Sequence, residues 1–109
     1  MRPLCVLGDR ETVLAFALGG VAGRVVHTPG EAGAVLAAAV AELRAQATST
    51  REPGLVLVTR ATANAVRAEV DRLALDTAGP LVVEIPGFGE PLGTSPVEAF
   101  VTRVLGVRL

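Results

Sequence analysis

The sequence predicts an α/β domain built around a mostly parallel four-stranded sheet, in three layers with helices on both faces. Short apolar runs alternate with amphipathic segments along the chain, and this alternation is typical of parallel strands joined by right-handed helical crossovers. The length of 109 residues fits a single domain, 1–109, with one hydrophobic core. We therefore expect a Rossmann-like or receiver-like topology.

The first strand is predicted at about Pro3–Leu7 and is followed by a tight turn at Gly8. A helix then follows Asp9 and runs to Leu18, because Asp is among the preferred residues at a helix N-cap. Gly19-Gly20 ends this helix, since Gly is favoured just beyond a helix C-terminus. A short second strand is predicted at about Arg24–His27.

The second helix is predicted to start at Thr28-Pro29-Gly30-Glu31, which combines a capping box with a proline in the first turn. An apolar stripe at helical spacing continues it, and it frays over 46–50. Leu55–Thr59 follows as a third strand. That strand is apolar without alternation, as expected of a central parallel strand covered on both faces.

The third helix is predicted over Arg60–Leu73, and the fourth strand over Leu81–Ile85. Pro86–Thr94 is a loop rich in Gly and Pro. A second capping box at Ser95 then starts a last helix over about Pro96–Leu105. Its apolar face carries Val97, Phe100, Val101, Val104 and Leu105.

Composition excludes several classes of function. All ten basic residues are Arg and the net charge is −1, so Lys-dependent chemistry and a phosphate-loop Lys are absent. The Arg residues are scattered, whereas a nucleic-acid-binding face shows a basic cluster or stripe. One Cys allows no internal disulfide and no multi-Cys metal site, and we expect no metal and no cofactor. With no visible signal peptide or membrane span, we expect a cytoplasmic protein that reaches a membrane only through a complex.

Asp9 lies where a receiver domain holds acidic residues, at the carboxyl end of the first strand. The third strand ends Thr59-Arg60 without an acid, and Gly8 alone does not make a dinucleotide-binding G-x-G-x-x-G motif. These absences favour a helix-capping Asp9. Two alternatives stay open: a small α/β enzyme that uses Asp9 and Thr59 at the strand tips, and a degenerate receiver-type domain.

Four other residues are candidates on chemical grounds. His27 and Cys5 have no visible catalytic companions, so both are predicted to be structural. Glu84 interrupts an apolar strand, either as a charge on an edge strand or as a partner contact. Phe88 lies among glycines in the last loop, and it either contacts a partner or folds back onto the core.

The two ends of the chain carry a family resemblance. Leu7-Gly8-Asp9-Arg10-Glu11-Thr12-Val13, followed by Phe16 and Gly19-Gly20-Val21, resembles the opening of the F subunit of the V-type and A-type ATP synthases. Val83-Glu84-Ile85-Pro86-Gly87 is similar to that family's last strand-to-loop step. The terminal 103–109 segment is similar to its closing residues.

The resemblance implies a non-catalytic subunit of the central rotor stalk that binds the coiled-coil D subunit. It also implies that 95–109 forms a C-terminal helix able to move, with Pro86–Thr94 as its hinge, and that ATP turnover is coupled to ion transport with the help of this stalk component. The residues expected to contact partners are Glu84, Phe88, Phe100, Arg103 and Leu105.

Overall fold

The computed structural model describes residues 3–50 and 53–88, with side chains of the second helix described as far as residue 46. In chain order the elements are β1 (Leu4–Gly8), α1 (Arg10–Leu18), β2 (Ala22–Val25), a 3₁₀ turn (Pro29–Glu31), α2 (Ala32–Thr50), β3 (Leu55–Thr59), α3 (Arg60–Ala65), α4 (Arg67–Leu75) and β4 (Leu81–Ile85). The predicted loop beyond residue 88 and the predicted C-terminal helix lie outside the described residues.

Within the described ranges the four strands form one parallel sheet in the order β2-β1-β3-β4. One face carries the main core, in which Cys5, Leu7, Val56 and Val58 pack against α2, α3 and α4. On the other face α1 lies over β1 and β2. The predicted α/β class, with helices on both faces of a parallel sheet, is confirmed.

The apolar stripes of the helices face the main core as predicted. On α2 the buried residues recur at three- and four-residue spacing, at Ala32, Leu36, Ala39 and Leu43, which keeps them on one side of a helix. Arg44 of α2 also forms an ion pair with Asp76, the residue that follows α4. The guanidinium nitrogen of Arg44 lies 2.8 Å from the Asp76 carboxylate.

The end of α1 follows the predicted glycine pattern. Gly20 has φ of +88°, a left-handed conformation that glycine adopts without steric penalty. The amide of Gly20 donates to the Ala17 carbonyl and the amide of Val21 to the Phe16 carbonyl, both at 3.0 Å. This pair of bonds is a Schellman motif, which satisfies carbonyls that the helix leaves unpaired.

The predicted second strand, Arg24–His27, is wrong in position, because β2 is Ala22–Val25. Its register against β1 runs from Cys5 opposite Ala22 to Gly8 opposite Val25, so the strand ends where β1 ends. Glycine weakens the interior of a strand, yet Gly23 lies where any side chain would meet the Val6 and Val13 methyl groups at 2.7 and 2.8 Å.

The predicted single helix Arg60–Leu73 is also wrong, since two short helices occupy this stretch. Val66 leaves helical geometry, with φ of −131° and ψ of 42°. This break keeps Val66 itself and Val70 of the next helix buried in the main core.

The second predicted helix, α2, is preceded by a short 3₁₀ turn at Pro29–Glu31. In this turn the Glu31 carboxylate accepts a hydrogen bond from the Thr28 amide at 3.4 Å.

Candidate functional site

The carboxyl ends of the strands form the edge of the sheet where α/β proteins usually bind ligands. Gly8 ends β1 there, directly beside the side chain of Thr59, and a Cβ at Gly8 would overlap the Thr59 methyl group. Only glycine therefore lets β1 and β3 end side by side at this point. Asp9 follows in extended backbone geometry as the N-cap of α1.

The Asp9 carboxylate makes two hydrogen bonds to Thr12. Its Oδ2 accepts from the Thr12 amide at 3.0 Å, and its Oδ1 accepts from the Thr12 hydroxyl at 2.7 Å. Partial burial raises the pKa of the Asp9 carboxyl, but the Thr12 hydrogen bonds outweigh it and leave the pKa below its usual value. Asp9 is therefore an ionised cap whose oxygens are already engaged.

The Thr12 hydroxyl also connects two distant parts of the sequence. It accepts a hydrogen bond from the Phe88 amide at 2.8 Å, across 76 positions in the chain. Thr12 is 5% exposed, and the bond is partly buried. We call the hydrogen-bonded series Asp9–Thr12–Phe88 the strand-tip tether, because it holds the start of the last loop at the N-terminal end of α1.

The backbone of Phe88 belongs to the strand-tip tether, but its side chain is exposed to solvent. Its side chain is 73% exposed, although the preceding Gly87 is buried. Of the two interpretations left open by the sequence, packing onto the core is therefore wrong for the described conformation. An exposed aromatic ring on a fixed backbone is a common feature of protein interfaces.

Thr59 acts as the N-cap of α3 in the same way that Asp9 caps α1. Its hydroxyl donates to the Thr62 hydroxyl at 2.9 Å and accepts from the Thr62 amide at 3.4 Å. Both threonines are buried. Among the described residues this hydroxyl bonds to another hydroxyl and an amide, and neither group is a base that could activate it as a nucleophile.

A shallow depression of about 280 Å³ separates these two caps. Its walls include Asp9, Glu11, His27, Thr28, Thr59, Thr62 and Phe88. Within residues 3–50 and 53–88, no cluster of three or more His, Cys, Asp or Glu side chains could hold a metal ion. The structure thus brings Asp9 and Thr59 to one edge, but each is engaged in starting a helix.

Glu84 faces α4 rather than standing free on the edge strand. Its two carboxylate oxygens accept hydrogen bonds from Arg67 at 2.8 and 2.9 Å. These hydrogen bonds hold the pKa of Glu84 below its usual value. Arg67 also donates to the Asn64 side chain at 2.6 Å, so Glu84 joins β4 to the start of α4. Its predicted contact with a partner stays a prediction.

Two of the remaining candidates, His27 and Cys5, lie within the described residues. His27 is exposed, and its amide donates to the Glu31 carboxylate. Cys5 is buried in β1, where burial raises the pKa of its thiol. Three predicted partner contacts, Phe100, Arg103 and Leu105, lie outside the described residues.

The sequence interpretation missed Thr12. Thr12 entered the sequence analysis only as one residue of the N-terminal motif that resembles the family. Its position in the sequence does not predict a hydrogen bond to residue 88. Two cues were nonetheless present: a hydroxyl three residues after an N-cap Asp, and a loop that follows the last strand at the same edge of the sheet.

Fold and site together define a small α/β protein in which the strands of the described residues form a parallel sheet and the acidic strand-tip residue Asp9 caps a helix. No helix among the described residues has both the length and the apolar character needed to cross a bilayer. The chain belongs to the family described as ATP synthase (F/14-kDa) subunit, which it matches over residues 4–104. It is 30% identical over 109 residues to the F subunit of the A-type ATP synthase of Methanothermobacter thermautotrophicus, covering 97% of this chain and 94% of the relative.

The match confirms the resemblance carried by the two ends of the sequence and extends it through the middle. The protein is thus a subunit of an A/V-type ATP synthase complex, and other subunits of that complex are its partners.

Proposed function

We propose that this chain is a non-catalytic component of the central stalk that binds the coiled-coil D subunit and helps couple ATP turnover to ion transport. The observation that carries this proposal is the exposed Phe88 ring on a backbone fixed by Thr12, in a chain that belongs to the F/14-kDa family of ATP synthase subunits. A backbone that is already held loses little conformational freedom on binding, which favours affinity.

The strand-tip residues support a binding role rather than a catalytic one. Asp9 and Thr59 are the two groups an enzyme would use at this edge, and both are engaged as helix caps. In this proposal the chain acts peripherally to the membrane, as part of the complex. Its contacts extend from Glu84 and Phe88 into the C-terminal residues Phe100, Arg103 and Leu105.

The contact is tested by measuring the affinity of the full chain for the purified D subunit with isothermal titration calorimetry. We expect Phe88→Ala to weaken binding at least tenfold, as for an aromatic side chain at the centre of an interface. Leu75→Ala is the matched control, because Leu75 is also exposed but lies at the end of α4. An unchanged affinity for Phe88→Ala would remove Phe88 from the interface, and no binding by the unaltered chain would refute the proposed partner.

The coupling role is tested in the assembled complex. Complex lacking this chain is expected to lose ion transport per ATP hydrolysed, and adding back the unaltered chain should restore it. Phe88→Ala should restore less at the same concentration, because less of it assembles. Full coupling in the complex without this chain would overturn this part of the proposal.

A further inference from the structure

The helix α4 is attached to the main core by a narrow strip of apolar side chains. Of its nine residues one, Val70, is buried, and Leu73 packs half-buried against the same core. On the same side of the sheet, the described part of α2 contributes four buried residues, Ala32, Leu36, Ala39 and Leu43. Few buried apolar contacts are typical of a region with low local stability.

The start of α4 adds little stability of its own. Val66 leaves helical geometry and occupies the N-cap position of α4, and valine has no side-chain oxygen that could accept from the first amides of the helix. The preceding helix α3 begins instead with the hydrogen-bonded cap Thr59. A nine-residue helix is too short to be stable alone in water, so α4 stays folded through its contacts with neighbouring elements.

The first of these contacts is polar and lies at the N-terminal end of α4. The Arg67 guanidinium donates to both carboxylate oxygens of Glu84 on the edge strand β4, at 2.8 and 2.9 Å. The same guanidinium donates to the Asn64 side chain at 2.6 Å. We call the ion pair between Arg67 and Glu84 the β4 clamp.

The second polar contact lies at the C-terminal end of α4. Asp76 follows the helix, and its Oδ2 accepts a hydrogen bond from Arg44 of α2 at 2.8 Å. Its Oδ1 accepts from the Ala78 amide at 3.0 Å, which forms the turn toward β4. We call the ion pair between Arg44 and Asp76 the α2 clamp. The two clamps thus hold opposite ends of α4 to two different elements.

Between the clamps, α4 stands apart from α2. A groove of about 430 Å³ lies between the two helices, with Val40 of α2 and Leu73 of α4 among its walls. Protein interiors are otherwise packed with few voids. On this side α4 is therefore held mainly at its ends.

We propose that α4 is a strap that opens as one unit while the sheet, α2 and α3 stay folded, and that the two clamps together set how often it opens. The sheet stays assembled without α4, because β4 pairs with β3 along all five of its residues, from Leu81 to Ile85. Opening uncovers the core side of β4, where Val82 is half-buried. The fold can therefore expose this apolar strip without unfolding as a whole.

The clamps make the opening of the strap sensitive to salt. All four clamp side chains are partly exposed, so dissolved ions screen both pairs. The apolar contacts of Val70 and Leu73 are not screened in this way. The strap should consequently open more often as ionic strength rises, while β1 and β3 keep their protection.

The test is native-state amide hydrogen exchange, followed by NMR on the full isolated chain. Its reporters are amides 70–75, which bond within α4, beginning with the Val70 amide on the Val66 carbonyl at 3.0 Å. We expect these amides to exchange at least about tenfold faster than those of β1 and β3, as for a local opening. The measurement needs no partner subunit, so it is independent of the proposed function.

Glu84→Gln and Asp76→Asn each remove the charge from one clamp and keep the shape of the side chain. We expect each to raise the exchange rate of all amides 70–75 by about two- to fivefold, the range for an exposed ion pair. The two factors should multiply in the double variant, because one opening breaks both clamps. About 1 M sodium chloride should raise the rates of the wild type more than those of the double variant.

Glu42→Gln is the matched control, because it weakens the partly exposed ion pair between Arg24 and Glu42, which does not involve α4. It should leave the rates of amides 70–75 unchanged. Effects confined to the end of α4 nearest each substitution would show fraying rather than opening as one unit, and would overturn the proposal. Exchange of amides 70–75 at the rate of β1 and β3 would also overturn it, since α4 would then open only with the whole fold. Unchanged rates in both clamp variants would refute the role of the clamps.

Discussion

Replacing Thr12 with Val removes the strand-tip tether while keeping the shape of the side chain. The Thr12 hydroxyl donates to Asp9 Oδ1 at 2.7 Å and accepts from the Phe88 amide at 2.8 Å. The amide of residue 12 still donates to Asp9 Oδ2 in the variant, so the cap of α1 survives in part. The change therefore isolates the two bonds made by one oxygen atom.

The expected loss follows from the two bonds. A neutral hydrogen bond contributes about 1 kcal/mol, and one to a carboxylate contributes about 1.5 kcal/mol at the lower end of its range. The lower end applies because Asp9 is partly exposed. Thr and Val have similar helix propensities, so we expect Thr12→Val to lower the free energy of unfolding by about 2.5 kcal/mol, the sum of the two bonds.

Urea denaturation measures this change, and amide exchange locates it. The Phe88 amide should exchange much faster in Thr12→Val, because its acceptor is gone. Thr62→Val is the control, since Thr62 is equally buried but its hydroxyl accepts its bond from a neutral group, the Thr59 hydroxyl. A loss below about 0.5 kcal/mol for Thr12→Val, or an unchanged Phe88 amide, would show that the strand-tip tether does not hold the loop.

Three further perturbations test the fold and its charges. Gly23→Ala should lower the free energy of unfolding by about 1–3 kcal/mol through overpacking against two valines. Gly30→Ala should be tolerated in the same urea titration, because the nearest atom to the added Cβ is the Thr28 hydroxyl oxygen at 3.9 Å, an ordinary contact. Because Arg67 lowers the pKa of Glu84, their pairing stabilises the fold above the ordinary Glu pKa and is lost as pH falls through the lowered one. The stability difference between wild type and Glu84→Gln should therefore shrink below about pH 4, as followed by urea midpoints across pH. Cys5 should react at least about 100-fold more slowly with a thiol reagent in the native than in the unfolded chain, because burial shields it and raises its pKa.

The sequence predicted the elements that local chemistry determines. β3 and β4 have the predicted bounds, and Asp9 caps α1 as its residue type indicates. The errors occurred where packing overrides local preference. Gly23 is a poor strand former by propensity, but the close approach of Val6 and Val13 requires it, so β2 lies two residues earlier than predicted.

The candidate site shows the same division between local and distant effects. A capping Asp can be recognised from four residues of sequence, whereas the bond between Thr12 and Phe88 depends on how β1 and β4 are placed in the sheet. The pairing of Glu84 with Arg67 was also invisible, because the two residues become neighbours only when α4 packs beside β4. Sequence spacing gives no measure of such distances.

The strand-tip tether also explains why the two ends of the chain carry the family resemblance together. Gly8 is required because Thr59 leaves no room for a Cβ, and Asp9 is required to begin α1. Thr12 then fixes the backbone of Phe88, directly after the Pro86-Gly87 step. Residues that look like two separate signatures thus form one hydrogen-bonded unit at one edge of the sheet. A motif that resembles an active site in sequence is, in this fold, the fixed point from which the C-terminal segment departs.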